Sequence, residues 1–429
     1  MKNTIPPVKG TRDFYPEQMA LRTWLYDTLR QVAESFGYQE YEAPILESLN
    51  LYAAKSGEEL VKEQSYVFTD RSGEEITLRP ELTPSLARMV AQKQRELAFP
   101  ARWWSFGPFW RYERPQKGRT REFFQWNVDL LGADSPEADA EIVAVLATFF
   151  RQVGLTPKQV LILVNDRRLL NAQLEALEIN KKDHPAVLAW IDRREKLAAE
   201  AWEAYAGELG LSKKQVTGVK AMLKKGDLWK GSDELVRFFK AVEVLGVSEY
   251  VKFDPKIVRG LLYYTGTVFE AWEVGGEIKR SILGGGRYDN LLADVGGEAL
   301  PATGFAMGDV VVTLLLEKYG LLPKDLKIWP AQVLVTVFDQ EHIQGSFRLA
   351  AELRQAGFNV ACYPEAAKLP KQFKYADRIG ARLVAVLGPD EAAAGKVTLK
   401  DLKRGRQVVV PRERAAQAIR QALAKQLPS

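Results

Sequence analysis

The stretch that most constrains this chain is Trp104 to Gly132, WSFGPFWRYERPQKGRTREFFQWNVDLLG. Trp104, Phe106, Trp110 and Tyr112 alternate with Ser105, Gly107, Arg111 and Glu113, the period of two expected of a pleated strand. Pro115, Gln116, Lys117 and Gly118 break the pattern with turn chemistry. On the return, Phe124, Trp126, Val128 and Leu130 mark one face, and Arg121, Gln125, Asn127 and Asp129 share the other. Strands of this aromatic weight are expected at the centre of a sheet. Polar groups in such a place cost several kcal/mol unless paired, so the polar face is expected to line a wet pocket. Gln125 and Asp129 would stand ~14 Å apart at ~3.4 Å per residue, room for one small polar ligand. On alternation alone, an ordinary hairpin with one solvated face is the simpler reading.

The text of the hairpin adds what its period cannot. FWRYERP followed by GRTREFFQ resembles motif 2 of the class II aminoacyl-tRNA synthetases, and RPQKGRTREFFQ is similar to the form found in histidyl-tRNA synthetases. The resemblance implies that Arg111 holds the ATP α-phosphate and the amino-acid carboxylate, a task suited to the fixed fork of a guanidinium. Glu113 and Arg121 would join it at ATP. Gln116, Lys117 and Arg119, in the loop, would meet the acceptor end of a tRNA.

Composition narrows the alternatives. At 429 residues and 46% hydrophobic, two or three domains are expected. The single cysteine, Cys362, leaves no disulfide framework and no cysteine-built zinc site. The two histidines, His184 and His342, fall outside every motif and are read as ordinary surface positions. No apolar run approaches the ~20 residues of a membrane span, and the N-terminus lacks the apolar core of a signal peptide. A cytoplasmic protein is expected. Between Ala331 and Ser429 there are 16 Lys and Arg against 9 Asp and Glu, while the whole chain carries +5. That excess fits either a polyanion partner or a solvated basic surface.

Taken in order, a helix is expected from Pro16 to Gly37. The strand YQEYEAPILE, broken by Pro44, resembles motif 1, which forms the homodimer interface of class II synthetases. LRPE with Thr83 is similar to the family's LRPEGT, with Leu82 in place of glycine, and implies that Glu81 and Thr83 hold the α-amino group of histidine together with Gln125. Ser135 is expected to cap an amphipathic helix, and VLILVND to form a buried strand. From about 167 to 250 the chain reads as a helical insertion carrying no catalytic pattern.

IVRGLLYYTGTVFEAWE resembles the histidine-specific motif of the family, and SILGGGRYDNL a second signature. By that resemblance Arg259 stabilises charge on the reacting carboxylate and phosphate, while Asp129, Tyr263 and Tyr264 surround the imidazole. Two positions depart from the family. Leu262 replaces the usual aspartate, and Val311, in GFAMGDVVVTLLL, replaces the motif 3 arginine that clamps ATP. Arg287 is the expected substitute clamp, with an even alternative as a structural arginine; Asp309 is a second candidate, through Mg²⁺.

After Pro323–Pro330, alternating strands and helices resemble the α/β anticodon-binding domain of the family, with Lys371, Lys374 and Arg378 as expected tRNA contacts. The expectation is an α/β chain: a class II catalytic domain over 1–325, built on an antiparallel sheet with flanking helices, and an anticodon-binding domain over 331–429. The implied activity is a homodimeric ligase that uses ATP and Mg²⁺ to adenylate histidine and then charges tRNA(His). Metal ligands from the protein itself are not expected. The alternative is a non-catalytic, histidine-sensing regulatory subunit of ATP phosphoribosyltransferase.

Overall fold

The computed structural model describes residues 4–53, 63–194, 197–259, 263–324, 326 and 331–424. Leu262 lies outside them. The chain divides into two compact units, Met1–Lys324 and Asp325–Ser429.

In the first unit the strands are β1 (Gln39–Glu40), β2 (Leu46–Ser48), β3 (Tyr66–Thr69), β4 (Glu75–Leu78), β5 (Ala101–Trp110), β6 (Glu122–Leu131), β7 (Val160–Asp166), β8 (Val251–Phe253), β9 (Thr267–Glu273), β10 (Leu283–Arg287) and β11 (Ala302–Gly308). Eight of them form one sheet in the order β1-β5-β6-β11-β10-β9-β7-β8. Its six central strands, β5 to β7 in that order, are mutually antiparallel, and the short edge strands β1 and β8 join in parallel. The hairpin expected from the alternation is β5–β6, paired from Ala101 opposite Leu131 to Trp110 opposite Glu122.

One face of the sheet packs on the helix Pro136–Gln152. Ser135 caps it, its side chain accepting from the Ala138 amide at 3.2 Å, and Pro136 takes the first position. Ile142, Val143, Leu146, Phe149 and Phe150 are fully buried between this helix and Trp126, Val128 and Phe305 of the sheet. Cutting Phe149 or Phe150 back to alanine would cost about 3–5 kcal/mol.

The insertion is helical, with helices Arg167–Ala176, His184–Asp192, Ala199–Glu208, Lys213–Met222 and Asp233–Val244. Its core holds Trp190 and Trp202 face to face, ring centroids 4.2 Å apart and planes 13° from parallel. Each indole N–H donates to the other residue's carbonyl at 2.7 Å. His184, expected at the surface, is buried beneath this cluster with Nε2 3.2 Å from the Ile179 carbonyl. It opens a helix whose apolar face carries it inward.

A separate sheet, β2-β4-β3, stands apart from the main one. It leaves Leu46, Val67 and Phe68, with Ile45 beside them, exposed.

The second unit holds β12 (Val333–Val335), β13 (Val360–Cys362), β14 (Leu383–Val386), β15 (Lys396–Asp401) and β16 (Arg406–Pro411) in the order β13-β12-β14-β15-β16. The first three are parallel, as helix-bearing crossovers require, and the last two antiparallel. Helices Ile343–Gln355, Leu369–Arg378 and Ala415–Ala424 flank them. Among the described residues no helix is long and apolar enough to cross a membrane.

Candidate functional site

The other face of the main sheet forms the floor of a cavity of about 280 Å³. Strand β6 runs along it. From the loop that precedes the strand, the wall passes Arg119, Phe123, Gln125 and Asn127 to Asp129, so the two ends of the cavity differ in chemistry. At the far end Asp129 accepts a 2.5 Å hydrogen bond from the Tyr288 hydroxyl. Burial pushes the Asp129 carboxyl up to about 7 despite that bond. Tyr263 packs edge-on to Tyr288, with ring centroids 6.0 Å apart, and Tyr264 stands beside it. Burial first, then the neighbouring Tyr264 for Tyr263 and Asp129 for Tyr288, holds both phenols well above the usual tyrosine value, so both remain neutral.

Midway along the wall, Gln125 Oε1 and Asn127 Nδ2 are buried without a hydrogen-bond partner among the described residues. Both groups are more than nine-tenths buried. Orphan polar atoms in a cavity wall are recognition groups for something polar placed between them. Glu81 and Thr83 enter the same wall from the start of the helix Thr83–Lys93. They are held there by Arg79, fully buried, which pairs with Glu42 and donates to Pro108 O at 2.9 Å and Ala43 O at 2.8 Å.

Arginines dominate the near end. Arg111 donates through Nε to Pro80 O at 2.9 Å and lies over the Phe123 ring at 5.4 Å. Its pKa is lowered by burial, with Arg119 adding to the effect against the pull of Glu81 and Glu113. Arg119 pairs with Glu113. Arg280, just before β10, lines the same space.

Arg259 crosses the floor, donating to Glu270 at 2.5 Å. Burial works against its charge and Glu270 outweighs burial, so the guanidinium stays protonated. Its backbone sits at φ 61°, a left-handed conformation that costs a side-chain-bearing residue ~1 kcal/mol or more. Arg167 Nη2 donates to the Arg259 carbonyl at 2.7 Å and fixes that conformation from the first turn of the insertion. The sheet makes room for these side chains with glycine. A Cβ at Gly284 would lie 2.2 Å from Arg259 Cζ, and one at Gly304 would lie 2.1 Å from Asp129 Oδ1.

The cavity thus brings together Arg111, Glu113, Gln125, Asp129, Arg259, Tyr263, Tyr264, Glu81 and Thr83 of the residues singled out in the sequence. Others fall elsewhere. Arg287 is buried on the opposite face of the sheet, bonded to Asp139 at 2.9 Å and to the carbonyls of Ala133 and Ser135 at 2.9 Å. It is not a clamp on this cavity. Asp309 is likewise committed, to Arg12 at 2.9 Å and to the Phe124 amide at 2.8 Å. Arg121 precedes β6, so the alternation does not reach it: it stacks on Tyr112 at 4.1 Å, outside the wall. Arg119, expected to face a tRNA, turns into the cavity, while Gln116 and Lys117 stay exposed at the loop tip. Lys371, Lys374 and Arg378 are exposed on one helix of the second unit. Reading the sequence missed Arg280, Tyr288, Arg167 and Glu270 as members of the site, whereas Asn127 lies on the polar face that the alternation marked; of those missed, Tyr288 alone carried a signal, its place two residues past the glycine run.

Comparisons with known proteins agree with this layout. A family model described as histidyl-tRNA synthetase matches residues 10–309, and one described as anticodon binding domain matches residues 332–422. The chain is 39% identical over 440 residues to the histidine–tRNA ligase of Opitutus terrae, covering 97% of this chain and 98% of that one. It is 39% identical over 422 residues to that of Haloarcula marismortui, covering 94% and 95%. Among solved structures it is similar to the histidyl-tRNA synthetase of Nostoc sp. PCC 7120, with a TM-score of 0.77 and 30% identity over 98% of this chain and 100% of that one.

Proposed function

Since the chain belongs to the histidyl-tRNA synthetase family, we propose that its cavity seats histidine toward Asp129 and ATP toward the arginines. The activity is that of a histidine–tRNA ligase: ATP and histidine give histidyl-adenylate and pyrophosphate, and the histidyl group then passes to the 3′ end of tRNA(His). The observation that carries the residue assignment is the chemical polarity of one wall, with a buried acid and phenols at one end and clustered guanidinium groups at the other.

In the first step an oxygen of the histidine carboxylate bonds to the α-phosphorus, and the bond to the bridging oxygen of pyrophosphate breaks. Arg111 and Arg259 approach the reacting carboxylate and phosphate with fixed donors, so the charge developing there meets groups that need no reorganisation. Glu81, Thr83 and Gln125 take the ammonium group, and Gln125 Oε1 is a buried acceptor suited to it. Asp129, Tyr264 and Tyr263 read the imidazole. In the second step a terminal ribose hydroxyl attacks the acyl carbon and AMP departs. No covalent enzyme intermediate is needed.

Magnesium would arrive on the phosphate oxygens and supply further neutralisation of their charge. Among the described residues no group of three or more His, Cys, Asp or Glu gathers to hold a metal, and Glu113 is already paired with Arg119. Lys371, Lys374 and Arg378 are proposed for the anticodon arm, and Gln116 and Lys117 for the acceptor end. The exposed Ile45, Leu46, Val67 and Phe68 support a homodimer in which a second copy covers this patch. A histidine sensor would need the Asp129 end alone, and the clustered arginines speak against it. Histidine-dependent exchange of pyrophosphate into ATP is the test. Its absence from the intact chain would replace the ligase with the sensor.

A further inference from the structure

The near end of the cavity holds more positive charge than its own acid can balance. Arg111, Arg119 and Arg280 converge there with Glu113, and Glu113 is taken up by Arg119. Among the described residues Arg280 makes no ion pair or hydrogen bond, yet it is half-buried, and the repulsion of Arg119 outweighs the attraction of Glu113 on it. Burial first and Arg119 second lower its pKa against the weaker pull of Glu113, as expected of a half-buried cation whose neighbouring acid is already paired with another arginine. An arginine kept in that state within a cavity is placed for an anion that arrives from outside.

The packing shows how it is held. Gly118, at φ 78°, turns the loop so that the place of its missing Cβ lies 3.7 Å from Arg280 Cδ, 3.8 Å from Leu314 Cδ1 and 3.9 Å from Val311 Cγ2. The stem of Arg280 and the side chains of Val311 and Leu314 therefore all border the place of that one missing Cβ, and Arg280 and Val311 line the same cavity.

We propose that Arg280 binds the pyrophosphate half of ATP, acting with Arg119. This rests on the reading of the arginine end as the ATP end. Direct binding to the full chain tests it, with ATP, pyrophosphate, AMP and histidine each titrated by calorimetry into the wild type and into Arg280→Ala and Arg280→Lys. Loss of a hydrogen-bonded charge partner corresponds to about ten- to a hundredfold in affinity. Arg280→Ala should weaken ATP and pyrophosphate by about that factor and leave AMP and histidine unchanged; Arg280→Lys should fall between. Unchanged ATP and pyrophosphate affinity would overturn the proposal. Equal weakening of AMP would also overturn it, by placing Arg280 at the adenosine half. Failure of the ligase reading would look different: the wild type would bind these ligands but show no histidine-dependent pyrophosphate exchange.

Discussion

Arg111 and Arg259 reach the same cavity by different routes, one anchored on a carbonyl and the other locked by Glu270 and a left-handed backbone. Arg111→Ala and Arg259→Ala should each lower pyrophosphate exchange by ~10²–10³, the usual loss for one preorganised donor, with circular dichroism unchanged. Near-normal exchange in either variant removes that arginine from the mechanism. Asp129 gives a pH test. Its carboxyl, pushed up to about 7 by burial, is ionised above that pH and protonated below it, so histidine affinity should fall as pH drops through about 7. Asp129→Asn should flatten that arm and leave only the titration of histidine itself; an unflattened arm would mean that the acid does not read the ligand. The same shift bears on stability. The folded state holds this proton more tightly than an unfolded carboxyl near ~3.9, so the residue's contribution is full below that value and lost as pH rises through about 7. The exchange of Arg287 for Arg280 marks the limit of reading residues singly. Arg287 shares strand parity with Leu283, a core residue, and two-residue alternation sends both toward the helix with Asp139. Parity was legible in LGGGR; the partner Asp139, more than a hundred positions away, was not.

Three of the five residues of strand β10 are glycine, and their positions have opposite uses. At Gly284 the three atoms nearest a new Cβ all belong to the guanidinium of Arg259, whereas at Gly285 it meets the Gly304 carbonyl at 2.4 Å and the Phe269 ring at 2.6 Å. Gly284→Ala should therefore keep its melting temperature and lose exchange activity by at least tenfold, because a flexible side chain yields. Gly285→Ala should lose about 1–3 kcal/mol of stability, because backbone cannot yield; calorimetric melting separates the two. Equal destabilisation by both would mean that Arg259 is part of the packing. Elements of this kind were readable where their signal is local. The β5–β6 hairpin follows from alternation and the Ser135 cap from its side-chain chemistry. The order in which β11 and β10 insert beside β6 depends on pairings between distant segments, and no local period encodes it.

At the scale of the molecule, the basic excess lies in the unit from Asp325 onward, while every cavity residue lies in the unit ending at Lys324. A chain ending at Lys324 should retain pyrophosphate exchange and lose most of its tRNA charging, with the salt dependence of tRNA binding reduced, since phosphate contacts carry much of that affinity. Undiminished charging would assign tRNA recognition to the first unit alone.

The stacked Trp190 and Trp202 give the insertion an optical identity of its own. Two near-parallel indoles 4.2 Å apart share their excited states, so their circular-dichroism couplet reports on this helical region; among the described residues no other two tryptophans stack. The insertion also carries Arg167, which grips the Arg259 carbonyl. Light from two tryptophans remote from the cavity thereby becomes a gauge of whether the catalytic backbone is still clasped. During warming, activity should fade no later than the couplet does.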